Sequence, residues 1–241
     1  MAVRKLDIPR ASHARGGGRG ETLKRPPLEV EAAQFALLRR LAPSLRHRLI
    51  GGLHPISLLT ELAGRRLAAD SLDLASARDA VSRVQAQARV AADSAIATIA
   101  WLTGEEAPSV ALNEGVAACV ALVRTDCEMR GAVIVVEVGD VEVAVPRRAL
   151  RTVLTAALIA AVDTVPHPAR IELHAGREGD GIELRVEVRA LQESASPAFS
   201  GDERPLTWED VRALARLEGV EIRATGTPSV FRCRFRPCAA T

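Results

Sequence analysis

From about Leu28 to Leu67, apolar residues return in alternating steps of four and three: Leu38, Ala42, Leu45, Leu49, Gly52, Ile56, Leu59 and Ala63. This spacing keeps one helix face apolar and predicts a long helix with a coiled-coil-like seam. A polar break, AADSLD at 68–73, leads to a second series of Leu74, Ala77, Val81, Val84, Ala88, Ala91, Ala95, Thr98 and Leu102. Two long helices joined by a short turn must run antiparallel, so residues 28–104 are expected to form a helical hairpin. Such a hairpin leaves an apolar seam that it cannot cover alone. Pairing two copies into a four-helix bundle is the simplest way to bury it, and a homodimer is expected.

After GEEAPS at 104–109 the period changes. A helix over about 113–127 leads to AVIVVEV at 132–138, a Gly-Asp turn, and VEVAV at 141–145. Pro146 opens a helix over roughly 147–164. Two alternating strands follow, ARIELHA and GIELRVEVR, divided by a Gly179-Asp180-Gly181 turn that favours a hairpin. A last helix from Trp208 to Glu218 precedes strands VEIRA and SVFRCRF. Helices beside a mostly antiparallel sheet make 110–238 an α/β sandwich, and the whole chain an α+β protein. Residues 1–27, with ARGGGRGE and RPP and no apolar period, read as a disordered basic tail.

Composition narrows the function classes. The 241 residues are 48% apolar, enough for real cores. The tail holds seven Lys/Arg against Asp7 and Glu21, a net +5 that leaves −3 for the rest of a +2 chain. The body is therefore no basic platform for nucleic acid. With two Trp, four Phe and no Tyr, base-stacking surfaces and sugar clefts are also disfavoured. Cys119, Cys127, Cys233 and Cys238 form no CxxC pair and no zinc spacing, so no metal centre is expected. The longest apolar run, 153–162, is about half of what a bilayer demands, and no signal-peptide pattern opens the chain. The expectation is a cytoplasmic protein without a membrane segment.

Candidate chemistry lies on the first helix. His47 and His54 are seven residues apart, about 10.5 Å along one face by helical rise. With Leu45 and Leu49 in the seam, both histidines should be exposed. Gly51 and Gly52 follow His47 one turn on, and each mid-helix glycine costs roughly 1 kcal/mol relative to alanine. Clearing bulk beside an exposed imidazole, so that another protein can reach it, is one reason to keep them. A tolerated kink helped by Pro55 is the other reading.

The segment LRHRLIGGLHPISLLTELA resembles the histidine-bearing helix of bacterial sensor histidine kinases. His47, Leu49, Leu53, Ile56 and Leu62 fall on matching places. RALRTVLTAALIAAVDTVPHPARIEL is similar to that family's asparagine-bearing helix and the strand after it, and EDVRALARLEGVEIRATGTPSVFRCRF to its final helix and hairpin. The resemblance covers about 210 of the 241 residues. It implies a dimerisation and phosphotransfer hairpin followed by an ATP-binding domain of the histidine kinase and gyrase type.

The departures from that family decide what activity to expect. Its magnesium-coordinating Asn is replaced by Ala160, and Asn113 is the only asparagine in the chain. Its adenine-binding Asp and following Gly are Arg189 and Leu191, while Asp180 and Gly181 imitate the motif only in the preceding turn. The glycine-rich lid is reduced to Gly201. No nucleotide or other cofactor is therefore expected, and autophosphorylation is disfavoured. Arg48 stands where the family has an acid that helps take the imidazole proton. Phosphotransfer from a response regulator's aspartyl phosphate asks less, since the receiver carries its own metal and catalytic residues. His47-Arg48-Leu49-Ile50-Gly51 also resembles the His-x-Leu-x-Gly run of histidine phosphotransfer helices. The leading reading is a kinase-derived histidine phosphotransfer protein with His47 as phosphoacceptor, Arg48 and Gly51 in support, and His54 as a secondary candidate. Its partner is a response regulator receiver or a histidine kinase. Two alternatives stay open: a non-catalytic pseudokinase scaffold, and a divergent active kinase.

Overall fold

A computed structural model describes residues 27–68, 74–103, 108–139, 141–192, 204–225 and 230–238. The expected tail, apart from Pro27, and Gly201 lie outside them.

Helix α1 spans Leu28–Leu67 and α2 spans Leu74–Thr103; they pack against each other as the hairpin. At 40 residues α1 is about 60 Å long. Pro43 and Pro55 lie inside it, so the carbonyls of Arg39 and Gly51 lack a helical donor. Leu45, Gly52, Ile56, Leu59 and Ala63 face inward, as the seam requires. Leu38 and Ala42, expected in the same seam, are exposed. The reason is a change of partner along α1. Its first half turns a different face, Val30, Ala33, Leu37 and Leu41, into the core of the sandwich.

The sandwich begins with β1 (Ser109–Ala111), α3 (Leu112–Met129) and β2 (Ala132–Glu137). It continues through β3 (Ala144–Pro146), α4 (Arg147–Thr164), β4 (Ala169–Glu178) and β5 (Gly181–Ala190). It closes with α5 (Trp208–Leu217), β6 (Glu221–Thr225) and β7 (Val230–Phe235). The main sheet has the order β2-β4-β5-β7-β6; β2 and β4 are parallel and the other neighbours antiparallel. The expected strand over 141–145 shrinks to β3, which pairs with β1 in a separate two-stranded sheet. The β4–β5 hairpin turns on Gly179-Asp180, with Gly179 at φ +60°, a conformation that a side chain resists.

Helix α4 is the centre of the molecule. Almost every residue from Ala149 to Asp163 is buried, on all sides of the helix. A helix apolar all round must be covered all round. The sheet lies beneath it, α3 and α5 flank it, and α1 packs against both flanking helices. Each fully buried leucine contributes roughly 2 kcal/mol, so Leu37 and Leu41 bind the first half of the hairpin into the sandwich. No helix among the described residues is long and apolar enough to cross a membrane.

Candidate functional site

The face of α1 that packs on the sandwich carries Ala33, Ala36, Leu37, Arg40 and Ser44, in steps of three and four. The next position on that stripe is His47, and it is exposed. His47 therefore stands where α1 passes the edge of the sandwich. It lines a groove of about 470 Å³ between α1 and α3, together with Arg40 and Arg48 on one wall and Leu122, Met129 and Arg130 on the other. Arg48 also borders a second cavity of about 170 Å³, where the hairpin meets α3 and α4.

Beneath the groove runs an ion network. The Arg40 guanidinium donates to Asp163 Oδ1 at 2.8 Å and approaches Asp126 Oδ2 at 3.5 Å. Arg130 donates to the same Asp163 oxygen at 3.2 Å and to Asp126 Oδ1 at 3.2 Å. The second Asp163 oxygen accepts from the Leu206 N–H at 2.8 Å. The side chains of Arg40 and Asp163 are 6% and 0% exposed, so this pair is interior. Burial pushes the Asp163 carboxyl above its usual range, against the pull of the Leu206 amide and the two guanidiniums. The sequence reading missed this network. Its signal was present: one arginine following Ala33, Ala36 and Leu37 on the same stripe, and one acid in the Ala/Leu run of α4.

The two glycines have different surroundings. A Cβ at Gly51 would meet nothing within 4 Å, whereas one at Gly52 would lie 3.5 Å from Ala91 of α2. Gly51 shares the outward face of His47 and leaves it open; Gly52 belongs to the helix–helix contact. His54 is exposed on the same face but is not part of the groove.

The resemblance ties several further positions to nucleotide. Ala160 is fully buried in α4 and offers no ligand atom. One turn on, Asp163 is occupied by Arg40 of α1. Arg189 is exposed on β5 and donates to Glu187 Oε1 from Nε at 2.9 Å. Asn113, the second residue of α3, donates to the Gly139 carbonyl at 3.2 Å. Asp180 sits in the β4–β5 turn against Arg234, at 2.6 Å. On the open sheet face, Glu172, His174 and Glu187 are close enough to share a metal ion. Both carboxylates already pair with arginine, Glu172 with Arg170 and Glu187 with Arg189.

No family model and no curated protein matches the chain. It is similar to several solved structures. The catalytic domain of the histidine kinase ThkA is 17% identical over 54% of this chain and 94% of its own, with a TM-score of 0.41. A structure described as a bacterial phosphotransferase is 14% identical over 89% of this chain and 98% of its own, at 0.42. A histidine kinase from Burkholderia phymatum is 15% identical over 87% of this chain and 99% of its own, at 0.45.

Proposed function

We propose that the protein is a histidine phosphotransfer protein of a two-component pathway, exchanging phosphate between His47 and the aspartate of a response regulator receiver, without kinase activity of its own. The observation that carries this reading is the placement of His47: exposed, uncrowded on its Gly51 side, and fixed at the rim of a groove. The loss of side-chain ligands at Ala160 and Arg189 argues against an ATP-dependent source. Phosphate must then come from another protein.

In the forward direction the lone-pair nitrogen of neutral His47 attacks the phosphorus of the aspartyl phosphate. An N–P bond forms as the acyl O–P bond breaks, and the receiver's aspartate leaves as a carboxylate. The ring proton stays on the other nitrogen of the phosphoimidazolium until solvent removes it. Arg48, next along the chain, supplies a cation near the transferring oxygens. We further propose a homodimer through the hairpin. Ile50, Leu53, Val90, Ile96 and Ile99 are exposed, more large apolar surface than a lone hairpin normally leaves in water.

A scaffold that binds receivers without taking phosphate is the second reading, favoured by Arg48 in place of the usual acid. Incubating phosphorylated receiver domains with wild type and His47→Ala separates the two. Label on the wild type alone supports transfer. Receiver binding unchanged in His47→Ala, with no label on either protein, supports the scaffold.

A further inference from the structure

We propose that the α1–α3 groove is the docking site of that partner, and that it receives an amphipathic helix with an apolar ridge and flanking carboxylates. This rests on His47 as the phosphoacceptor and adds how the partner is recognised.

Two features of the groove specify the occupant. The first is shape and polarity. Ala121, Thr125 and Met129 lie at steps of four on α3, forming a stripe along one wall. Leu122 is buried beside it, and Met129 is 77% exposed. A flexible exposed methionine over an apolar floor is a surface that packs against another protein's side chains. A trough between two helices accepts a third through its apolar ridge. The second is charge. Between Glu31 and Glu61, α1 carries Arg39, Arg40, Arg46 and Arg48 and no carboxylate. Asp126, the carboxylate in the lining, is paired with Arg40 and Arg130, whereas Arg48, which lines the groove beside His47, is exposed. A partner helix lying here meets the Arg48 guanidinium on its α1 side, so carboxylates on that flank fix its orientation. The wall is held by the Arg40 guanidinium, which pairs with Asp163 of α4 and Asp126 of α3 and so ties α1 to both helices.

The test uses Thr125→Glu and Met129→Glu on the full chain. Both residues are exposed on α3 and neither carries the phosphoryl group. Transfer from phosphorylated receiver domains of the same organism is measured against receiver concentration, with Val133→Glu on the far sheet face as control. The expected result is a half-saturating concentration raised at least tenfold in each groove variant, a maximal rate within about twofold of wild type, and no change in the control. Wild-type half-saturation in both groove variants overturns the proposal, as does a lowered maximal rate at unchanged half-saturation. If the wild type takes no label, the His47 reading fails separately, and direct binding of the same receivers decides the groove. Binding weakened tenfold by the groove variants upholds it; equal binding, or no receiver binding to wild type, overturns it.

Discussion

Arg40 and His47 occupy the same stripe of α1 two turns apart, one inside the protein and one outside. Desolvating a guanidinium and a carboxylate costs several kcal/mol, and the pair persists because two arginines and a backbone amide share the charge of Asp163. Removing Arg40 strips away part of that compensation. Arg40→Met should lower unfolding stability by about 3 kcal/mol, read by urea denaturation, whereas Arg46→Met on the exposed face should change it by less than about 0.5 kcal/mol. A second acid gives a pH signature. Burial pushes the Asp210 carboxyl up, but hydrogen bonds from Arg204 and from the Thr207 amide and hydroxyl outweigh it, and its net value is lowered. A folded value below the unfolded one means stability that is present above the ordinary aspartate value, about 3.9, and lost as pH falls through the lower folded value. The stability gap between wild type and Asp210→Asn should therefore be full at neutral pH and shrink in melts taken progressively below pH 4.

At the scale of elements, the hairpin and the sandwich were both legible in the sequence because period reports burial. Helix α4 was expected over 147–164 and forms over Arg147–Thr164, since Pro146 sets its start and an unbroken Ala/Leu run fills it. The strand at 141–145 was overestimated: alternation in VEVAV predicts pairing, but only Ala144–Pro146 finds a partner, in β1. What the sequence did not reveal was that α1 serves two cores. Its period stays helical throughout, and the shift from a sandwich-facing stripe to an α2-facing one shows only when the partners are known. Leu38 and Ala42 were misplaced for that reason, and the groove beside His47 went unseen because half of it belongs to α3. The Gly51–Gly52 pair, singled out in the sequence as one unit, divides in the structure: Gly51 is open and Gly52 packs on Ala91. Gly51→Ala meets no atom and removes a flexible mid-helix position, so it should stabilise the protein by about 1 kcal/mol. The same substitution should slow phosphate exchange if the open space serves a docking protein; faster or equal exchange would assign Gly51 no role in access.

For the whole molecule, the seating of α1 on the sandwich places the proposed phosphoacceptor, the groove and the proposed dimer face on one helix. The sandwich contributes one wall of the groove and, through Asp163, a clamp on Arg40 of α1. The proposed dimer follows from the exposed apolar residues of the hairpin. Light scattering should give twice the 25.7 kDa chain mass for wild type and the chain mass for the Ile96→Glu, Ile99→Glu double variant; a monomeric wild type would contradict it. The central claim is that His47 carries phosphate. Its most direct measurement is peptide mapping, by mass spectrometry under alkaline conditions, of protein incubated with phosphorylated receivers. The account predicts an acid-labile phosphoryl group on His47 and none on His54. A phosphoryl group on His54, or on neither histidine while the receivers remain bound, would contradict it.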